Sequence, residues 1–190
     1  MSGTDKNTRA VIRRILSDIR VELGDEFDRN FERQAFFSDA WARRKSPTRP
    51  GGTILVDTGT LRRSVKSRTT DDSITFYTDL PYAAIHNDGG EIVVTRRMKG
   101  YFWHKYMTAA GVLQFARRKD GTMRRDKNTL HINDMAEFYK CMALKKEGLT
   151  IKIPRRRFLG TGPEVERIVR EIIEDNLNEY FDMDFSIERK

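Results

Sequence analysis

His86 is the residue of this sequence with the most chemical promise. It stands beside Asn87 and Asp88 and shortly before Glu91, which invites the reading of a metal-dependent nuclease. Metal chemistry needs ligands that converge and outer partners that orient them. Consecutive residues point in different directions, so this run does not by itself build a site. A hydrogen-bonded helix end beside the Gly89-Gly90 turn accounts better for His86. His104 and His131 complete the histidines and have no carboxylate or cysteine at ligand spacing. Cys141, the single cysteine, carries no nucleophile signature and reads as a buried or interface residue. Ser64 follows Arg62-Arg63 without the glycines of a nucleophile elbow. There is no phosphate-cradling P-loop and no dinucleotide fingerprint. Gly160-Thr161-Gly162 opens a helix and could hold an anion there, but a cap explains it. No metal and no cofactor is expected.

The second chemistry available is contact with a polyanion. Arg96-Arg97, Arg117-Arg118-Lys119, Arg124-Arg125 and Arg155-Arg156-Arg157 form basic clusters. Residues 91–160 hold 17 Lys and Arg against 6 Asp and Glu, a net of +11, whereas residues 161–190 hold 4 against 9, a net of −5. Such polarity suits a nearby polyanion, head-to-tail stacking of acidic on basic surfaces, or simply a solvated charged face. Arginine and lysine neutralise phosphates without reading sequence. Tyr101, Phe102, Trp103 and Tyr106 lie close to the first cluster. Rings so placed stack on bases in single-strand binders, yet Tyr, Trp and Arg are equally enriched in protein interfaces. The interface is the preferred reading.

Certain elements must position these residues. Val11, Ile12, Ile15, Leu16, Ile19, Leu23, Phe27 and Phe31 recur at spacings of three and four, which predicts one amphipathic helix over residues 6–34, weakened or bent at Gly24. Phe36, Phe37 and Trp41 suggest a short helical turn, and Lys45 to Gly52 a loop. A short helix ends near Ser64 with Asp57 or Thr58 as its cap. Residues 65–68 and 73–78 read as two strands around a turn, and Pro81 as the first position of a helix through His86. Residues 91–95 and 150–153 are strand candidates that could pair as the base of an insertion. Within it, residues 102–110 are helical by composition, residues 117–125 form a basic turn or hairpin tip, and Asn133 or Asp134 caps a helix through Lys146. Pro163 begins a final helix whose face is Val165, Ile168, Val169, Ile172, Ile173, Leu177 and Phe181.

The bulk properties set limits. Apolar residues are 38% of the chain, below the usual 45–50% or so, so the core is modest for 190 residues. No apolar run of about 18 residues is present, and the N-terminus lacks the apolar stretch of a secretory signal. No membrane contact is expected, and a reducing cytoplasm is the expected site of folding.

Three segments in order carry a resemblance. They are Val56-Asp57-Thr58-Gly59-Thr60-Leu61-Arg62-Arg63-Ser64, then Tyr82-Ala83-Ala84-Ile85-His86-Asn87-Asp88-Gly89-Gly90, then Pro154-Arg155-Arg156-Arg157-Phe158-Leu159-Gly160. With strands between the first two and an amphipathic helix after the third, the chain resembles the phage virion morphogenesis (tail-completion) family over residues 6–95 and 150–181. The stretch 96–149 lies outside that resemblance. Read physically, the segments are caps, turns and anchors. Tyr82 and Ile85 pack beneath the Leu61 helix, Gly89-Gly90 allows a sharp turn, Pro154 ends a strand, and Phe158-Leu159 anchors the final helix.

The resemblance implies an α+β fold of one domain: a long N-terminal helix, a small mainly antiparallel sheet with short helices, a C-terminal helix, and an inserted basic subdomain or long loop at about 96–149. It implies a structural virion protein with no catalytic residues. The implied subunit forms a ring, a hexamer by preference, at the head–tail junction or tail end around the DNA channel. Its partners would be other connector, tail terminator or tail tube proteins, with non-specific contact to packaged double-stranded DNA. It would reside in the virion neck or tail end, and in the host cytoplasm during assembly. Arg96, Arg97, Arg117, Arg118, Lys119, Arg124, Arg125, Arg155 and Arg156 are the candidates for DNA or partner contact. The alternative is a nucleic-acid-binding protein or metal-dependent nuclease using His86, Asp88 and Glu91.

Overall fold

A stripe of apolar residues four apart makes α1 (Gly3–Arg33) the spine of the molecule. The computed structural model describes residues 3–44, 53–115, 118–122 and 124–184; the loop expected over 45–52 lies outside them. Ile19, Leu23, Phe27 and Phe31 are all buried along α1. The helix runs uninterrupted through Gly24, where an added Cβ would meet only the Phe76 ring, at 3.9 Å.

α1 serves two cores. Its middle turns pack against α6 (Pro163–Asp184), joining Ile19, Leu23, Phe27, Phe36 and Val165 into one cluster. The two helices are antiparallel: Asp18 accepts from Asn176 Nδ2 at 3.0 Å, and Arg14 pairs with Glu179 further out. Pro163 takes the first helical position as expected, where its missing N–H costs nothing. The last turn of α1 supplies Phe31 to a second cluster with Trp41, Ile54, Leu61, Ala83 and Phe158.

The strands form three separate antiparallel pairs rather than one sheet. β1 (Ala35–Phe36) pairs with β2 (Asp39–Ala40), where the sequence suggested a helical turn. Two non-glycine residues in left-handed conformation make the difference, Gln34 at φ 55° and Phe37 at φ 51°. Buried Asn30 fixes the bend by accepting the Phe37 N–H at 2.9 Å. β3 (Lys66–Thr69) and β4 (Ile74–Tyr77) pair as the second hairpin. β5 (Gly90–Val93) pairs with β6 (Thr150–Ile153), Ile92 opposite Ile151.

Between β5 and β6 the chain forms a helical hairpin, α4 (Arg96–Phe115) and α5 (Lys127–Ala143). These two helices pack on each other far more than on any other element; we call them the arm and the rest the body. α4 is about twice the length its composition suggested. α5 begins earlier than expected: Asp126, not Asn133 or Asp134, is its cap, accepting from Thr129 N at 2.9 Å. Two short helices complete the body, α2 (Thr60–Arg63) and α3 (Ala83–Asn87). Both start differently from the expectation. Gly59 at φ 75° stands at the cap position of α2 and has no side chain to offer, while the Thr58 hydroxyl one residue earlier accepts the Thr60 N–H at 3.4 Å. Pro81 lies before Tyr82, the residue that leads into α3.

Candidate functional site

The three sequence segments meet in the body. Leu61 of the first, Ala83 of the second and Phe158 of the third are buried in the same cluster. Backbone bonds join the second and third: Arg156 donates its N–H to the His86 carbonyl at 2.8 Å. Asn87, which was not singled out in the sequence, does more. Its Oδ1 accepts from Phe158 N at 2.9 Å and from Leu159 N at 3.0 Å. Gly89 fits beside them at φ 74°, where any Cβ would stand 2.9 Å from Arg155 N. A Cβ on Gly90 would meet the tip of the Ile85 side chain, at 3.1 Å.

The first segment is tied to α1. Arg62 donates from Nε to Asp28 Oδ1 at 2.5 Å and from Nη2 to Glu32 at 2.6 Å. These carboxylates raise the arginine further and, by hydrogen bonding, hold Asp28 below its usual range. Ser64 Oγ lies 2.7 Å from the Leu61 carbonyl and 2.7 Å from Thr78 Oγ1, which locks the end of α2 to the residue after β4. Ser64 is thus engaged in structure.

The arginine triplet does three different things. Arg155 is exposed. Arg157 stacks over the Phe36 ring at 4.4 Å and bonds the Thr161 carbonyl; its own carbonyl accepts the Trp41 indole N–H at 2.6 Å. Arg156 is only 8% exposed, its Nε donating to the Ala42 carbonyl at 2.9 Å. It does not share a surface with the other basic candidates. Beside it is a cavity of about 340 Å³, walled by residues of all three segments including Thr58, Leu61, Tyr82, His86 and Arg156. Arg44 stands in the same wall and donates to the Thr53 carbonyl at 2.7 Å.

His86 does not play the capping role expected of it. Its Nδ1 is buried without a hydrogen-bond partner. Burial, then the nearby Arg156 charge, push its pKa below the ordinary value. Burial and Arg44 likewise lower Arg156. Asp88 instead accepts from Asn87 Nδ2 at 2.8 Å, and Glu91 lies 4.0 Å from Lys152 across the β5–β6 pair. Among the described residues no three His, Cys, Asp or Glu residues gather where they could hold a metal.

The remaining basic candidates sit on the arm. Arg96 and Arg97 open α4 and are exposed. Arg118, Lys119, Arg124 and Arg125 are exposed at its far end, in a turn where Arg118 N–H donates to the Thr122 carbonyl at 2.7 Å. Arg117 lies outside the described residues. At 1.5 Å per residue, the twenty residues of α4 separate the two groups by about 30 Å, so they form two basic ends rather than one site. The aromatics divide too. Phe102 turns inward onto Phe138 and Tyr139, while Tyr101 and Trp103 remain 57% and 48% exposed. Cys141 is exposed on α5, so the buried reading of it does not hold. Among the described residues no helix is long and apolar enough to cross a membrane.

A comparison with known families matches residues 5–178 to the model of the phage virion morphogenesis family. The matched span runs through 96–149, beyond the two stretches in which the resemblance was read. No curated protein and no solved structure matches the chain.

Proposed function

Because the chain belongs to the phage virion morphogenesis family, we propose that it is a tail-completion or neck subunit of a tailed phage. Family membership gives a role in phage structure and assembly. The finer reading is a homo-oligomeric ring, six copies by preference, at the head–tail junction or tail end around the DNA channel. It would be built in the host cytoplasm and retained in the virion. Its neighbours would be connector, terminator or tube proteins. The basic ends of the arm would face DNA or an acidic protein surface.

One observation carries this reading. The three segments that run through the body bond to one another, through Asn87, the His86 carbonyl and the Leu61–Ala83–Phe158 cluster. They spend their chemistry on holding a scaffold. The arm then supplies surface: Met107, Val112 and Phe115 are 55%, 49% and 88% exposed, and α4 has no buried residue.

Negative-stain microscopy of particles made without this protein tests the proposal. Separate heads and tails, or tails with defective ends, are expected. Normal infectious particles would overturn it. The mass and symmetry of the protein in intact particles give the copy number.

A further inference from the structure

The arm and α6 carry opposite charge. Residues 96–149 hold 13 Lys and Arg against 5 Asp and Glu, a net of +8, while α6 holds 2 against 8, a net of −6. Arg96, Arg97, Lys99 and Lys105 stand on α4 with no Asp or Glu in their own helix, and among the described residues none of the four has an ion pair. On α6, Arg167 pairs with Glu171, and Glu179 with Arg14. Glu166, Glu174 and Asp175 stay exposed. Each surface also shows apolar side chains at helical spacing. On α4, Arg96, Gly100, Trp103 and Met107 share one side, with Trp103 and Met107 48% and 55% exposed. Arg96, Gly100 and Trp103 line an open groove of about 510 Å³ against Ala143 and Glu147. A Cβ on Gly100 would have nothing within 4 Å. On α6, Glu174, Leu177 and Phe181 share one side, with Leu177 and Phe181 37% and 53% exposed.

We propose that the arm of one copy docks on the outward side of α6 in a second copy. Trp103 and Met107 meet Leu177 and Phe181, between rows of opposite charge. The inference rests on the proposed ring and names the contact that builds it. Charge selects the partner: two arms would set +8 against +8, and like charges brought together oppose association, whereas complementary charges steer the encounter and fix its register. Aromatic and methionine side chains at the centre with charge around them are the composition of a protein interface. Gly100 leaves room for the backbone of a neighbour to come close. The contact is head-to-tail, since each copy gives an arm and receives one, and such contacts close into a ring when their rotation closes.

Particles carrying the full chain test it. A photo-reactive benzophenone side chain replaces Met107 and, in a separate preparation, Trp103. After irradiation the products are sized and mapped by mass spectrometry. A product of twice the mass of the chain, linking the arm to residues 163–181, is expected. Phe181→Lys, at an exposed position, should cut its yield about tenfold or more and leave the melting temperature of the purified chain unchanged. Arg96→Glu, Arg97→Glu and Lys99→Glu together should do the same. Adding Glu166→Lys, Glu174→Lys and Asp175→Lys to that chain should restore the product. The mapping needs none of these charge variants, so it decides the matter even if they fail to assemble. Links from arm to arm, links only to DNA or to another virion protein, or no link at all overturn the proposal. A ring at the neck would then leave the assembly reading standing. Normal infectious particles made without the protein overturn that reading, whatever the links show.

Discussion

Phe31 in the body has no exposed surface, and Phe115 in the arm keeps 88% of its own. Both belong to long helices, but the helices stand in different company. α1 is enclosed by α6 on one stretch and by the three segments on another. α4 has α5 and little else, so only one side of it is covered. The body buries two apolar clusters within the chain, although Val21 and Phe181 keep 56% and 53% of their surface exposed, and even the charged Arg62 is anchored to Asp28 and Glu32. In the arm, Tyr101, Trp103, Met107 and Val112 stay exposed beside lysines and arginines. One region stabilises itself; the other offers surface.

Paired substitutions test this contrast. The largest difference is expected between Phe158→Ala and Phe115→Ala. Phe158 is 1% exposed and lies 5.2 Å from the Phe31 ring, so its loss should cost about 3–5 kcal/mol in denaturant unfolding. Removing Phe115 should change stability by no more than about 0.5 kcal/mol. Equal losses would mean the arm is as integral to the fold as the body. A smaller difference, of opposite sign, is expected between two glycines. Gly89→Ala forces a side chain into a positive φ against the Arg155 backbone and should destabilise by about 1–3 kcal/mol. Gly100→Ala lies inside α4 with nothing within 4 Å and should stabilise by about 0.4–1 kcal/mol.

The smallest effect concerns pH. His86 has a folded pKa below its ordinary value through burial and Arg156, so the unfolded chain takes up the proton more readily. Its contribution to stability is therefore present above about pH 6.5 and is lost as pH falls through the lowered folded value. In His86→Asn the fall in unfolding midpoint below about pH 6.5 should be shallower. An unchanged slope would show that His86 is not the group that responds.

Much of the body could be read from the sequence because its signals are local and regular. The three- and four-residue spacing in α1 and α6 is uninterrupted, and Ile92 and Ile151 stand at matching positions of two short β-branched runs. Other features rest on partners distant in sequence. The bend at Phe37 depends on Asn30, and the link between the second and third segments depends on Asn87 meeting Phe158. No local pattern announces either. Two further signals lie in the sequence. Asp126 three residues before Thr129 is a capping pair. Along the extended run after Pro154, alternate side chains face the same way, so the inward Phe158 implied an inward Arg156. The three consecutive arginines thus differ in burial although their charge is the same: Arg156 is buried and Arg155 exposed.

The stem of the arm has one more consequence. Val94 N–H donates to the Leu149 carbonyl at 2.8 Å, and Gly148 N–H to the Val94 carbonyl at 2.9 Å, so the chain leaves the body and returns to it at one place. Whatever lies between those bonds can change length with little added closure entropy, which grows only slowly with loop size. The stem is thus a splice point: related phages could exchange arms there to fit different neighbours, and an experimenter could graft a tag there to see where each copy sits in the particle.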